Sequence, residues 1–285
     1  HEEASCTAMA LTLCLGLAAC GGTPAEDPAD ENTPQTETSG ETVTLRVGAT
    51  PAPHQEILEQ VVDTLAAQGI TLEIVPYTDY LTPNVAVEEG EDDANFFQHI
   101  TYMETYNAEN NTHLVNAGSI HYEPMGIYPG SKTSLDELAE GDTIAIPNDG
   151  SNETRALLLL QDNGYITLAD GIDASSNATI LDIVDNPLNL NILEMAAENI
   201  SNSLPDVAFG IINGNYALQA GLTGDNALAS EDPDSDAAQT YANIVACRNG
   251  DENSDKIQAL KKAMQSDDVK KYVDETYKGA VVTVF

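Results

Sequence analysis

Basic residues are scarce in this 285-residue chain. It has 10 lysines and arginines against 47 aspartates and glutamates, which gives a formal net charge of −37 at pH 7. A surface with this charge repels phosphate backbones and anionic lipids, so the composition argues against nucleic-acid binding and against membrane adsorption through a basic patch. Because the acidic residues are spread along the sequence, they are typical of a solvated, self-repelling surface.

The sequence also lacks an N-terminal hydrophobic run long enough to span a bilayer. Residues 8–19 are apolar, but they are too few for a transmembrane helix. This run ends in Leu17-Ala18-Ala19-Cys20, and an apolar segment that ends in small residues is typical of a secretory signal peptide. We therefore predict a signal peptide over residues 1–19, with a buried N-terminal helix as the structural alternative.

Cysteine is rare, and the positions of the four cysteines exclude a disulfide within the processed chain. Cys6 and Cys14 lie in the predicted signal peptide. The ending Leu-Ala-Ala-Cys resembles a bacterial lipobox, which implies cleavage before Cys20 and attachment of a lipid to its sulfur. The apolar neighbours of the remaining Cys247 favour a packed core residue over a nucleophile. No metal-ligand spacing is visible, so we expect neither a metal ion nor a cofactor.

Aromatic residues are absent from the segment that follows Cys20. Residues 21–42 are mostly Gly, Thr, Pro, Ser and acidic residues, and such a stretch cannot bury enough apolar surface to become ordered. We predict that residues 20–42 form a disordered acidic tether that begins with the lipid-bearing cysteine. The chain as a whole is 42% hydrophobic, which is enough for one large folded domain or two lobes.

The remaining sequence starts with the pattern of a parallel α/β sheet. A strand is predicted over residues 43–47, an amphipathic helix over 54–67 and a second strand over 72–77. A strand–helix–strand unit forms a parallel sheet, and ligands bind beyond the carboxyl ends of the strands in such sheets.

The most distinctive stretch is the loop Asn148-Asp149-Gly150-Ser151-Asn152, which follows an apolar run and leads into an apolar helix that contains Arg155. A strand, a loop of small polar residues and a helix start form a common anion-binding arrangement, because the first-turn N–H groups lack partners within the helix. The chain has only three arginines, and an arginine fork in this turn can hold a carboxylate through two hydrogen bonds. The alternative is an ordinary helix cap with a solvated arginine.

Phenylalanine occurs only four times, and two of the four are adjacent at Phe96 and Phe97. His99 and Tyr102 follow within a few residues. Aromatic rings beside a histidine and a tyrosine can wall a small apolar pocket and present polar groups to a ligand. The alternative is that these residues are ordinary core.

The sequence of the C-terminal half predicts further strands and helices. A buried strand over 207–212 is followed by Asn213, whose amide faces a cleft or, in the alternative, makes a plain turn. The sequence then predicts a last strand over 242–247 and, over 255–277, one long helix or a helix pair, with Ser266-Asp267-Asp268 as the break and second cap.

Several of these motifs together carry a resemblance to a known family. They occur in one order and spacing: Tyr77-Thr78-Asp79-Tyr80, Pro83-Asn84, Asp93-Ala94-Asn95-Phe96-Phe97-Gln98-His99, Asn148 to Arg155, Asp185-Asn186-Pro187 and Ile212-Asn213-Gly214-Asn215-Tyr216. This set resembles the MetQ/NlpA lipoproteins, the methionine-binding components of bacterial ABC importers. The resemblance covers residues 43–285.

The resemblance implies the type II periplasmic-binding-protein fold, in which two α/β lobes enclose a ligand in the cleft between them. Lobe I is then expected to comprise residues 43–130 and 240–285, and lobe II residues 131–239. The chain is expected to cross between the lobes near 128–132 and 228–242.

The resemblance also implies roles for particular residues. Arg155 is expected to bind the α-carboxylate of the ligand, while Asn186 and Asn213 bind its amino and carboxylate groups. The residues expected to enclose the thioether are Tyr77, Phe97, His99 and Tyr102. Weaker candidates are His54, Tyr80, Asn95, His121 and Glu123.

The implied function is that of a lipid-anchored receptor on the extracytoplasmic face of the cell membrane. It is expected to capture L-methionine, or a close analogue such as the D-isomer, the sulfoxide or a short peptide, and to deliver it to an ABC permease and its ATPase. No nucleic acid is expected to bind. Two alternatives stay open: a surface antigen or adhesin that keeps the fold, and an enzyme that acts on a small amino-acid-like substrate.

Overall fold

The computed structural model describes residues 42–233 and 237–285. The predicted signal peptide, the predicted lipid-attachment residue Cys20 and the tether up to residue 41 lie outside these residues. Within the described residues, no helix combines the length and the apolar character needed to cross a membrane.

The strands are short, and they alternate with helices along most of the chain. In chain order they are β1 (Val43–Ala49), β2 (Ile70–Pro76), β3 (Ala94–His99), β4 (Leu114–Tyr122), β5 (Gly126–Pro129), β6 (Thr143–Pro147), β7 (Thr167–Leu168), β8 (Ile183–Asp185), β9 (Asn191–Met195), β10 (Phe209–Ile212), β11 (Ala229–Ser230), β12 (Asn243–Arg248) and β13 (Val282–Thr283).

The helices pack against the faces of the sheets that these strands form. In chain order they are α1 (Glu56–Glu59), α2 (Val62–Ala66), α3 (Thr82–Glu89), α4 (Ile100–Asn110), α5 (Gly150–Asp162), α6 (Ala197–Ser203), α7 (Gly214–Gln219), α8 (Ala237–Thr240), α9 (Asp255–Met264) and α10 (Asp267–Tyr277). Single helical turns are found at Pro51–Gln55, Leu135–Glu137, Ile180–Asp182, Leu204–Asp206 and Gly224–Asn226.

Two main sheets organise the described residues. The first has the strand order β13-β4-β12-β3-β1-β2, and the second has the order β11-β5-β10-β6-β9. In the first sheet β1 pairs in parallel with β2 and β3, as the strand–helix–strand pattern predicts. In the second sheet β6 pairs in parallel with β9 and β10.

The chain passes between the sheets twice, and one predicted boundary is wrong. The boundary at residue 130 assigns β5 to the first lobe, but β5 pairs antiparallel with β10 of the second sheet, with Gly210 opposite Tyr128. The first passage therefore lies at residues 123–125. A short apolar strand carries no local signal of the sheet it joins. The chain returns to the first sheet between β11 and β12.

Each sheet has its own hydrophobic core. Leu45 and Phe96 lie in the core of the first sheet, under α9 and α10, and both are fully buried. Ile146 and Phe209 lie in the core of the second sheet, which α5 covers, and are also fully buried. The two cores hold the carboxyl ends of β3, β6 and β10 in fixed positions, and the candidate site lies at these ends.

The predicted end of the chain differs from the structure in one element. The helix pair over 255–277 is confirmed as α9 and α10, and Ser266 caps the second helix by accepting a hydrogen bond from Val269 N. The predicted last strand corresponds to β12, but the two-residue strand β13 follows the helices and pairs with β4. Two residues are too few to form a recognisable alternating pattern.

The two serines that precede α9 and α10 provide a matched test of capping. We expect Ser266→Ala to lower the free energy of unfolding by about 1 kcal/mol, because its side chain satisfies a first-turn N–H. Ser254 occupies the same position before α9 but makes no capping hydrogen bond. Ser254→Ala is therefore expected to change the free energy by less than about 0.5 kcal/mol. Urea unfolding measures both values, and equal losses would refute the assignment of the cap.

Candidate functional site

A cavity lies between the two sheets. Residues of both lobes line it, together with Glu123 from the first passage. The lining residues are Tyr80, Phe97, Gln98, His99, Tyr102, Glu123, Asn152, Arg155, Asn213, Gly214, Asn215 and Asn243.

The cavity lies where several strands end. β3 ends at His99, β6 leads into the loop before α5, and β10 ends one residue before Asn213. The carboxyl ends of parallel strands meet at one edge of a sheet, and ligands of α/β proteins bind there. Phe97, His99, Tyr102, Arg155 and Asn213, all expected to contact a ligand, are thus brought to one cavity.

Hydrogen bonds join the two lobes across the cavity. His99 Nε2 lies 3.0 Å from Asn152 Oδ1, and the Tyr80 hydroxyl donates to Asn215 Oδ1 at 2.5 Å. Burial lowers the pKa of His99 to about 3, with the charge of Arg155 acting in the same direction, so its ring is neutral at pH 7. Its Nδ1 accepts from Tyr102 N at 3.1 Å, which leaves the proton on Nε2, facing Asn152.

Arg155 lines the cavity, but its fork already holds a carboxylate. Its Nε and Nη2 donate to the two oxygens of Glu231 at 2.6 Å each, and Nη2 also donates to Glu123 O at 2.6 Å. Glu231 Oε2 further accepts from the Tyr122 hydroxyl and from Met125 N. Glu231 therefore takes both of these nitrogens, and the binding of a ligand carboxylate by Arg155 stays a prediction. The alternative of a solvated arginine is wrong, since Arg155 is buried.

The start of α5 is likewise occupied by a residue of the chain. The Asp149 side chain caps the helix by accepting from Asn152 N at 3.0 Å and also bonds the Asn152 amide. The loop therefore forms an anion-binding arrangement in which the anion is the carboxylate of Asp149 itself. Burial raises the pKa of this carboxyl, and its bonds to Asn152 oppose the increase.

Glu123 lies in a buried cluster with two histidines. Its Oε1 is 2.6 Å from His121 Nε2 and 3.4 Å from His54 Nε2. Burial lowers the pKa of His54 to about 4 and that of His121 to about 3, so both rings are neutral at pH 7. Burial raises the pKa of Glu123, and its electrostatic interactions with His54 and Arg155 oppose that increase. Gly214 permits the close approach of Glu123, because a Cβ there would lie 2.6 Å from Glu123 Cβ.

His54, His121 and Glu123 also have the side-chain types of a zinc site. Their ligand atoms lie within 4.8 Å of one another. The sequence does not indicate this grouping, because His54 lies far from the other two residues in the chain. A zinc ion with bonds of about 2.0–2.2 Å would separate neighbouring ligand atoms by roughly 3.3 Å. The 2.6 Å separation of His121 Nε2 and Glu123 Oε1 is instead that of a direct hydrogen bond. The arrangement is a hydrogen-bonded cluster.

Aromatic rings form the wall opposite these polar groups. The ring centroid of Tyr80 lies 5.7 Å from Phe97, 5.5 Å from Tyr102 and 4.9 Å from Tyr216. The Tyr102 hydroxyl donates to Tyr80 O at 3.0 Å, which holds two of the rings together. The wall is apolar with a few fixed polar atoms, as expected from the Phe97–Tyr102 pattern.

Five candidates from the sequence lie outside the lining of the cavity: the two histidines beside Glu123, His54 and His121, and three more distant residues, Tyr77, Asn186 and Asn95. The Tyr77 hydroxyl donates to Asp92 Oδ2 at 2.9 Å, and Asn186 closes a turn by bonding both backbone polar groups of Leu190. Asn95 belongs to a buried amide network and donates to Asn84 Oδ1. The prediction that these side chains contact a ligand is not supported by their placement.

Two buried polar atoms of the cavity lack partners among the described residues. They are Asn213 Oδ1, an acceptor, and Asn215 Nδ2, a donor. Leaving such a group unsatisfied costs about 1–3 kcal/mol, so an arrangement that holds both atoms in one cavity is suited to a ligand that is both donor and acceptor. Sequence reasoning named Asn213 but not Asn215, although both follow the end of the same strand.

Two α/β lobes that enclose a polar and aromatic cavity at the ends of their strands define a two-lobed solute-binding protein of the type II periplasmic fold. The chain belongs to the NlpA lipoprotein family, whose model matches residues 45–285. The resemblance noted in the sequence is confirmed.

Relatives with known names or structures support this assignment. The chain is 38% identical over 250 residues to the methionine-binding lipoprotein MetQ of Bacillus subtilis (strain 168), covering 84% of this chain and 87% of that protein. It is similar to the crystal structure of a protein from Ruminococcus gnavus, with a TM-score of 0.83 and 53% identity over 85% of this chain and 99% of the other. The structure of a nutrient binding protein from Burkholderia cenocepacia bound to methionine matches with a TM-score of 0.79 and 38% identity, covering 85% of this chain and 100% of that protein.

Proposed function

We propose that this protein is an extracytoplasmic, lipid-anchored receptor that captures methionine in the cavity and delivers it to an ABC importer. The observation that carries the proposal is that Asn213 Oδ1 and Asn215 Nδ2, which have no partner among the described residues, lie in a cavity with an aromatic wall. Membership of a lipoprotein family supports the anchor. The lipid-bearing residue of the proposal is Cys20.

The polar part of the cavity suits an α-amino acid. Asn215 Nδ2 is a donor for the α-carboxylate, and Arg155 supplies a nearby positive charge even though Nε and Nη2 bind Glu231. Asn213 Oδ1 and the Glu123 carboxylate are acceptors for the α-ammonium group. A ligand that satisfies all four groups carries a carboxylate and an ammonium group on the same carbon atom.

The aromatic part of the cavity suits a thioether. Phe97, Tyr80 and Tyr102 present ring edges and faces to the cavity, and His99 completes this wall. Contacts between sulfur and aromatic rings contribute about 0.3–1.5 kcal/mol each. An unbranched side chain with a polarisable sulfur therefore gains more from these rings than a short or charged side chain does.

Ligand capture is coupled to closure of the lobes. Only the closed form places groups of both lobes, such as Phe97 and Asn213, around one ligand, so binding shifts the equilibrium towards closure. The proposal includes no chemical step. Two of the relatives reported above are named for binding methionine or nutrients. Within this chain, His99 bonds the amide of Asn152, and His121 bonds the carboxylate of Glu123.

Titration calorimetry on the purified protein, refolded after complete unfolding to remove bound ligand, tests the proposal. The titrants are L-methionine, D-methionine, methionine sulfoxide and glycyl-methionine. We expect one-site binding of at least one, and a loss of roughly 5- to 150-fold in affinity for Asn213→Ala and for Asn215→Ala, because each removes one ligand hydrogen bond worth about 1–3 kcal/mol.

The matched control is Asn191→Ala. Asn191 is an exposed asparagine on β9, and its amide bonds Thr143 Oγ1 on the surface. We expect this variant to bind with the affinity of the parental protein. If none of the four titrants produced heat or a shift in melting temperature, methionine specificity would be refuted.

A further inference from the structure

We propose that His54 and His121 are positioning residues of the ligand cavity, and that they hold Glu123 as an ionised carboxylate that selects ligands with a free α-ammonium group. This inference deepens the proposed function and rests on it. Neither histidine lines the cavity, and both act through Glu123, which does.

His121 Nε2 bonds Glu123 Oε1, and the N–H of His54, which bonds Asn243, lies beside the same oxygen. His54 Nε2 lies 3.0 Å from Asn243 Oδ1 and 3.4 Å from Glu123 Oε1, and both of these atoms are acceptors. The proton of the neutral His54 ring is therefore on Nε2, and Nδ1 accepts from the Thr50 hydroxyl at 2.7 Å. His121 Nδ1 has no partner among the described residues, and Nε2 lies 2.6 Å from Glu123 Oε1, so an ionised Glu123 requires the proton on Nε2 there as well.

Packing keeps both rings in these orientations. The Phe96 ring lies edge-on to both, with centroids 4.8 Å from His54 and 5.3 Å from His121. Both histidines are almost completely buried, so water cannot replace either donor. Glu123 lines the cavity and the two histidines do not, so they contact it from outside the cavity lining.

The groups that face Glu123 determine the sign of the pH dependence of ligand binding. They are His54 and His121 from the first lobe, and Arg155, Tyr80, Tyr128 and the Asn215 backbone N–H from the elements around the cavity. Burial raises the pKa of the Glu123 carboxyl above its ordinary value of 4.5, and His54, Arg155 and the Asn215 N–H oppose the increase. Binding of an ammonium group is present above this pKa and is lost as the pH falls through it. Loss of a histidine donor moves that transition to higher pH.

The experiment compares two ligands on matched variants. The ligands are L-methionine and 4-(methylthio)butanoate, which lacks the amino group. The variants are His121→Leu, which removes the donor, His121→Gln, which keeps an N–H donor, and His113→Gln as a control at an exposed histidine. Calorimetry over a series of pH values gives the affinity of each variant for each ligand.

We expect His121→Leu to lose at least about tenfold in affinity for methionine but less than about threefold for the deaminated analogue, because only the ammonium needs the charge of Glu123. Its loss of methionine binding on acidification is expected to begin at a higher pH than in the parental protein. His121→Gln is expected to restore most of the affinity, and His113→Gln to change neither ligand. Equal losses for the two ligands would overturn the inference and assign His121 a structural role.

A measurement on the unaltered protein remains decisive if His121→Leu does not fold. Nitrogen-15 NMR of the histidine rings at pH 7 is expected to show neutral rings with the proton on Nε2 for both His54 and His121. A proton on Nδ1 of either ring would overturn the inference. Failure of the parental protein to bind methionine would instead overturn the proposed function, and the inference with it.

Discussion

Replacing Arg155 by methionine is expected to lower the free energy of unfolding by about 3–5 kcal/mol. Arg155 is 3% exposed, and the side chain of Glu231 is 10% exposed, so the substitution leaves a carboxylate without its partner in a nearly dry environment. The cost arises mainly from this uncompensated charge. Urea unfolding at pH 7 measures it, provided that no methionine is present.

The surroundings of the pair explain why the effect is large. Each oxygen of Glu231 accepts a hydrogen bond from Arg155, and the guanidinium lies over the Tyr241 ring at 4.4 Å. Glu231 lies in the second passage between the lobes, and Arg155 lies in α5 of the second lobe. The pair therefore fixes the passage against α5 behind the cavity.

A double-mutant cycle separates the pair from its surroundings. Glu231→Gln keeps an acceptor for the Tyr122 hydroxyl and removes the charge. The double variant Arg155→Met/Glu231→Gln is expected to lose clearly less than the sum of the two single losses, because neither charge remains unpaired. The control is Lys270→Met at the exposed Lys270–Asp274 pair, where the free energy of unfolding is expected to fall by about 0.3–0.5 kcal/mol. Additive losses at Arg155 and Glu231 would show that the two residues are not coupled.

Phe96→Ala is expected to lower the free energy of unfolding by about 3–5 kcal/mol as well, because it opens a cavity in a packed core. Phe96 is fully buried between the core of the first sheet and the rings of His54 and His121. The loss of buried apolar area and the loss of ring-edge contacts both lower the free energy of unfolding. Urea unfolding and the melting temperature provide the measurement.

Phe285→Ala is the matched control for this substitution. Phe285 is 40% exposed, so its removal is expected to change the free energy of unfolding by less than about 0.5 kcal/mol. A loss of less than about 1 kcal/mol for Phe96→Ala would contradict the packing described here.

The site could be predicted where its residues lie in continuous motifs. Phe97, His99 and Tyr102 surround the end of β3 and could be found from the cluster of aromatic residues beside a histidine, while Asn213 could be found as the residue that follows the predicted strand β10. Asn186 shows the limit of such a motif. Its turn with Leu190, four residues away, uses the same amide that was expected to bind a ligand.

The amino-acid sequence by itself determined the α/β class, the order of most strands and helices, the family and the residues at the ends of β3 and β10. These features depend on hydrophobic periodicity, caps and short motifs, all of which act between residues close in the chain. Only the tertiary structure decided that β5 joins the second sheet, that Glu231 occupies the fork of Arg155 76 residues away, and that His54 and His121 meet at Glu123. A buried charge or strand takes its partner from whatever the fold brings within a few ångströms, and sequence distance does not encode that choice.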